Sequence, residues 1–268
     1  MAKIYVTYPQ GKFKALTMSY DDGRKADKRL VEIFNRNGIK GTFHINSGFF
    51  GNTEYDRMEE AECVELYKGH EVSAHTLTHP TIARCPKEML VHEVMEDRKN
   101  LERIFGYTIR GMSYPNGSYS PEIMELLPQL GIEYSRVVET THGGFGLPHN
   151  WLEWKATCHH KDNLLKHGET FVSLHKKQYL YLMYVWGHSY EFDNDNNWNV
   201  IEEFCELAGG RDDIWYATNM EIVDYMKAYQ RLRFSAGMEF VENPNATSVW
   251  LSVDGDIREI PGGVTVRF

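Results

Sequence analysis

No stretch of this 268-residue chain is apolar for long enough to span a bilayer. Its opening, Met-Ala-Lys-Ile-Tyr-Val-Thr-Tyr-Pro-Gln, lacks the long apolar core of a secretory signal. The four cysteines (Cys63, Cys85, Cys158 and Cys205) are scattered without paired spacing, as in chains kept reduced rather than cross-linked. There is no Lys/Arg run, and the formal net charge is −9, a balance that repels phosphate backbones. Internal repeats and low-complexity segments are also missing. These absences set the expectation of a cytoplasmic globular protein with neither nucleic acid nor a membrane as partner. Nothing in the sequence speaks for a particular oligomeric state.

What is present is ordinary in amount and informative in order. The hydrophobic fraction is 42% and the charged fraction 25%, typical of globular chains, and the length suits one large domain with at most a small appendage. Aromatics reach 13%, with six Trp and sixteen Tyr; a large core explains that surplus more simply than a sugar-stacking groove does. Strand-like and helix-like stretches alternate. An apolar segment at 15–19 runs into Asp21-Asp22-Gly23, and a helix with Leu30, Ile33 and Phe34 on one face follows. Further strands are expected at 42–46, 71–74, 111–114, 133–138, 179–186 and 214–217. Helices are expected between them, the longest over 87–105 and one opened by Ser120-Pro121. Residues 140–162 show no clear period and read as one long loop. Such alternation predicts an α/β fold with a parallel sheet or barrel over 1–232. From 233 to 268 the pattern becomes short β pieces, including a hairpin around Asp254-Gly255, and predicts a small β appendage.

Two features carry chemistry. Asp21 and Asp22 are adjacent carboxylates at a strand end, a repulsive pair that a divalent cation would offset; the competing reading is a surface Asp-Asp-Gly turn. His75 and His79 are four residues apart after another strand, so one helical turn would bring both imidazoles to one metal. With twelve His in the chain, a chance pair competes with that reading. Taken together, one Asp and two His leave coordination positions open for water and substrate, the pattern of a catalytic rather than a structural site.

At these residues the sequence resembles the polysaccharide deacetylases, the NodB-homology group of carbohydrate esterase family 4. Thr17-Met18-Ser19-Tyr20-Asp21-Asp22-Gly23 looks like their first motif and His75-Thr76-Leu77-Thr78-His79-Pro80 like their second. Ser113-Tyr114-Pro115-Asn116-Gly117 resembles the third, and Val185-Trp186-Gly187-His188 the fifth. The resemblance implies a distorted parallel β/α barrel with its site at the carboxyl ends of the strands. It implies Asp22, His75 and His79 as ligands of a divalent metal. The donor set suits Zn best, with Co, Ni or Mn as other choices. It implies Asp21 as general base, His188 as the acid that protonates the leaving nitrogen, and the Asn116 N–H as an oxyanion donor. The activity implied is removal of N-acetyl groups from an N-acetylated amino sugar or oligosaccharide, the expected partner. Tyr114, Asn116, Trp151 and Trp154 are candidates for the substrate pocket, although core packing explains both Trp residues equally well.

The chain departs from the family at several points. Ser113 stands where the third motif usually has the Arg that orients the base. Arg110 or, slightly preferred, Arg136 would take that role. No clear fourth motif supplies the acid that orients His188, for which Asp162 is the first candidate, with Glu191 and Asp193 behind it. Three other readings stay open: an O-acetyl esterase, an amidase acting on a non-sugar substrate, and a non-catalytic metal or sugar binder.

Overall fold

The computed structural model, which describes residues 3–268, begins with a short strand β1 (Ile4–Thr7), followed by β2 (Lys14–Asp21), buried at every residue. The chain then alternates: α1 (Asp27–Arg36), β3 (Gly41–Ile45), α2 (Glu60–Leu66), β4 (Glu71–Ala74), α3 (Lys87–Phe105), β5 (Gly111–Ser113), α4 (Pro121–Leu126) and β6 (Tyr134–Thr140). Next come β7 (Trp154–Ala156), β8 (Cys158–His159), α5 (Leu164–Ser173), β9 (Tyr181–Gly187), α6 (Tyr190–Asn194), α7 (Trp198–Ala208), β10 (Ile214–Tyr216) and α8 (Asn219–Gln230). Five short strands end the chain: β11 (Arg233–Phe234), β12 (Phe240–Glu242), β13 (Val249–Val253), β14 (Asp256–Ile260) and β15 (Thr265–Arg267). Among the described residues no helix is long and apolar enough to cross a membrane.

The main sheet runs β7-β6-β5-β4-β3-β2-β9-β8, parallel throughout, with β10 beside the start of β2. Its two ends are one kinked stretch of chain, because only Thr157 separates β7 from β8. Trp154 and Ala156 pair with β6 while Cys158 and His159 pair with β9, so residues 154–159 close the sheet into a distorted barrel. Thr157 bridges the kink: its N–H donates to the Tyr184 carbonyl and its Oγ1 accepts from the Tyr184 N–H. The expected long loop of 140–162 thus contains two strands. They are two or three residues long and share a bend, too short to show a period.

Helix ends follow local chemistry. Ser120 accepts from the Ile123 N–H at the start of α4, Thr218 and Glu221 form a capping box on α8, and Gly106 ends α3 at φ 75°. Apolar faces of α1 (Leu30, Ile33, Phe34) and α3 (Leu90, Val94, Leu101) pack on the outside of the barrel. The interior is largely polar: Thr17 bonds Asn219, Ser19 bonds His44, and Tyr134 bonds Ser73 and Glu71.

The C-terminal strands form two antiparallel sheets, β11-β12-β15 and β1-β13-β14. The second takes its edge from the N-terminus, with Ile4 opposite Val253 and Thr7 opposite Trp250. Val249, Leu251, Val253 and Ile260 are buried in one cluster with Ile222, Val223 and Met226 of α8. A boundary at 232 therefore separates segments that share a sheet and a core.

Candidate active site

Asp21, Asp22, His75, Ser113 and His188 lie at or just past the carboxyl ends of barrel strands, and Arg136, inside β6, is in register with Ser113 at the end of β5. Donor atoms of Asp22, His75 and His79 lie within 4.8 Å of one another, and His79 Nε2 is 4.0 Å from Asp22 Oδ1. The imidazoles do not converge through a helical turn, as their spacing suggested. Residues 75–80 form an irregular loop in which Thr76 (φ 65°) and His79 (φ 58°) both take left-handed backbone. Asp22 (φ 86°) and Asn116 (φ 55°) do the same, so strained non-glycine positions gather at this end of the barrel.

Buried groups pay for that strain. Asp97 of α3 accepts the backbone N–H groups of His75 (2.9 Å) and Ser47 (2.8 Å). Glu93, one helical turn earlier, accepts the N–H and hydroxyl of Thr78 at 2.8 and 2.6 Å. Asn46 donates to the His75 and Thr76 carbonyls. Periodicity marks Glu93 and Asp97 only as members of a long helix; their burial is what sets them apart.

His75 Nδ1 lies 2.9 Å from the Ser113 carbonyl, an acceptor that keeps the proton on Nδ1 and leaves the Nε2 lone pair free. Burial pushes the His75 imidazole down to about 4, so the ring is neutral at neutral pH. Asp22 is held below the usual carboxylate range; burial opposes its charge, but His75 and Arg57 favour it. Arg57 Nη2 is 3.3 Å from Asp22 Oδ1, and Arg24 Nε is 4.0 Å from Oδ2. A neutral imidazole with a preset tautomer and an ionised carboxylate are what a borderline divalent cation requires, so these residues fit a metal.

Asp21 is buried beside the triad, with Oδ2 3.8 Å from His75 Nε2. Arg136 donates to its Oδ2, and the Ser113 hydroxyl donates to its Oδ1 at 3.1 Å. Burial alone would raise Asp21, but the Arg136 guanidinium holds it far below the usual carboxylate range. Arg136 itself is fully buried under the Trp186 ring, 4.1 Å from its centroid. Of the two Arg candidates, the preferred one, Arg136, thus reaches Asp21. Arg110 does not: it sits before β5, at the opposite end of the barrel, bonded to Glu133 and Asp224.

His188 directly follows β9, and Glu191, in the first turn of α6, accepts both its N–H and Nδ1 at 3.1 Å. Burial opposes a charge on His188, but Glu191, Asp21 and Asp22 outweigh it and raise the group above its ordinary value. Asp162, the first candidate for this pairing, is exposed, and its N–H caps the His159 carbonyl instead. The carboxylate comes from three residues beyond His188, where an i, i+3 spacing within one turn brings it back.

The proposed pocket walls fare unevenly. Asn116 is exposed, and its side chain reaches the His79 carbonyl (3.4 Å) and Thr81 (3.3 Å), bracing the end of the 75–80 loop. Tyr114 is buried, stacked on Tyr119 and donating to the Leu152 carbonyl. Trp154 is buried edge-on to Tyr134 and Trp151, so it is core and not a sugar platform. Trp151 is partly exposed.

Residues 9–135 match the sequence model of the polysaccharide deacetylase family. A chitin deacetylase of Arthroderma benhamiae is 29% identical over 123 residues, which is 43% of this chain and 31% of that protein, so the chain spans about a third of that relative's length. Several solved structures resemble most of the chain, two of them as follows. A protein of Mycobacterium smegmatis assigned to the polysaccharide deacetylases superposes with a TM-score of 0.62, covering 84% of this chain and 94% of that one at 13% identity. The Puue allantoinase superposes at 0.63, covering 81% and 91% at 12% identity. At such identities the structures speak for the fold alone. The chain is thus a NodB-type barrel, extended by antiparallel strands at its C-terminus. It carries the polysaccharide deacetylase signature over its first half, as its motifs indicated.

Proposed function

We propose that this protein is a metal-dependent deacetylase that hydrolyses the N-acetyl group of an amino sugar or oligosaccharide. The observation that carries the reading is the juxtaposition of Asp22, His75 and His79 with a second, Arg-paired carboxylate, Asp21. Asp22, His75 and His79 would hold the cation, with Zn the first choice. When bound, the cation activates water and polarises the acetyl carbonyl. Asp21 takes the proton of the attacking water, kept ionised and aimed by Arg136 and Ser113. His188, protonated on both nitrogens, gives its Nε2 proton to the departing amine while Glu191 holds Nδ1. The match over residues 9–135 and the chitin deacetylase relative support a sugar as substrate.

Acetate release from N-acetylglucosamine oligomers tests this, measured on metal-stripped protein with Zn, Co, Ni or Mn restored. Metal-dependent release is expected. Release only from acetylated xylan or another O-acetyl ester would move the reading to an esterase, and release only from small non-sugar amides to an amidase. No turnover on any of them would leave a binder.

A further inference from the structure

Glu191 does more than hold His188. Its Oε2 is also approached by His159 Nε2 at 3.2 Å and His160 Nε2 at 3.5 Å, both from the end of β8. The three donor atoms lie within 4.8 Å of one another. A tetrahedral cation with bonds of about 2.0–2.1 Å separates its ligand atoms by about 3.3 Å, close to the spacings from the carboxylate to each ring.

Hydrogen bonding accounts for two of the rings but not the third. His188 bonds Glu191, and His159 accepts the Lys161 N–H at Nδ1. His160 is buried, with its side chain 1% exposed, and neither ring nitrogen has a hydrogen-bond partner. It is packed between Phe192, 4.2 Å away centroid to centroid, and Tyr20, at 5.7 Å. A buried imidazole with no partner is costly, and this one faces a carboxylate and a second imidazole.

We propose that His159, His160 and Glu191 form a second site for a divalent cation such as Zn2+, and that filling it withdraws Glu191 from His188. The site is weaker than the first, for two reasons. At the first site the Ser113 carbonyl already keeps the His75 proton on Nδ1. At the second, the Lys161 N–H donates to His159 Nδ1 (3.1 Å), so the ring proton sits on Nε2. A cation must move that proton to Nδ1 and displace the amide. Lys161 Nζ also lies 3.1 Å from Glu191 Oε1 and repels a second positive charge. The site therefore fills only at excess metal, and the loss of Glu191 from His188 then slows turnover. That last step rests on the role of His188 proposed above; the binding of two cations does not.

Metal-stripped protein titrated with Zn2+ against a chromophoric chelator separates the two claims. The expected result is two cations per chain, the second bound at least tenfold more weakly. His79→Ala should lose the tighter phase and keep the weaker; His159→Gln and His160→Gln should each do the reverse. A single cation per chain overturns the proposal, as does a weaker phase that survives in both Gln variants. His159 is partly exposed, so its variant serves even if His160→Gln misfolds. Acetate release should fall at excess Zn2+ in the parent protein and hold in His159→Gln. Two-phase binding without that fall would overturn the coupling to His188 while leaving the site in place.

Discussion

Arg136 on β6 donates to the carboxylate of Asp21 on β2 across the barrel mouth, joining residues 115 positions apart. The cation keeps Asp21 ionised at every working pH, so the acid limb of the kcat/KM profile should not come from the base. Arg136→Met should let the Asp21 pKa rise, because the strongest charge opposing burial is then gone. The acid limb should move up into the measurable range. An unchanged acid limb would count against Arg136 as the residue that tunes the base.

Asp21→Asn removes the proton acceptor and keeps its shape. Turnover should fall by about 10²–10⁴-fold. Metal content, read by elemental analysis, should stay at the parent level, because Asp22, His75 and His79 are intact. Asp22→Ala and His79→Ala should lose the cation itself, and activity should not return at high added metal. Full activity in Asp21→Asn would remove it from the mechanism.

Glu191→Gln tests the acid. His188 is raised by Glu191, so its charged form persists to higher pH than an isolated imidazole would allow. Loss of the carboxylate should move the alkaline limb to lower pH. It should also cost more on amides, whose leaving nitrogen needs a proton, than on activated esters, which do not. Equal losses on both substrates would speak for a purely structural Glu191.

Stability should carry its own pH signature. Asp27 is fully buried against the Tyr67 hydroxyl, and burial pushes its carboxyl up to about 7. The folded state therefore binds this proton more tightly than the unfolded chain. Its contribution is complete below about pH 4 and is lost as pH rises toward 7. Asp27→Asn keeps the acceptor for Tyr67 without the ionisation. Its melting temperature should gain on the parent by several degrees between pH 5 and 8, about 2–4 °C per kcal/mol for a chain of this size. A constant difference across that range would mean that Asp27 stays ionised.

Much of this was legible in the residues. The barrel strands show as apolar runs, and both motifs that hold the proposed metal ligands sit where such runs end. The geometry of convergence was less so. His75 and His79 have helical spacing but meet through left-handed backbone, which no periodicity reports. The choice between Arg110 and Arg136 turned on which end of a strand each residue occupies. Arg110 lies before β5 and faces the base of the barrel, whereas Arg136 lies inside β6 with its side chain inward. Glu191 escaped preference because the family habit pointed upstream, although its i, i+3 relation to His188 was the available signal. The barrel closure at 154–159 was hidden by strands too short and too bent to declare themselves.

The pairing of β1 with β13 has a consequence for how the chain is made. Ile4–Thr7 are synthesised long before their hydrogen-bonding partner, Val249–Val253. Until then the first strand has an open edge, and apolar side chains such as Ile222 and Val223 lack part of their cover. The order of translation thus leaves a late, long-range closure as the step on which the lower part of the molecule waits, and nascent chains stalled short of residue 249 should be the ones most prone to aggregate.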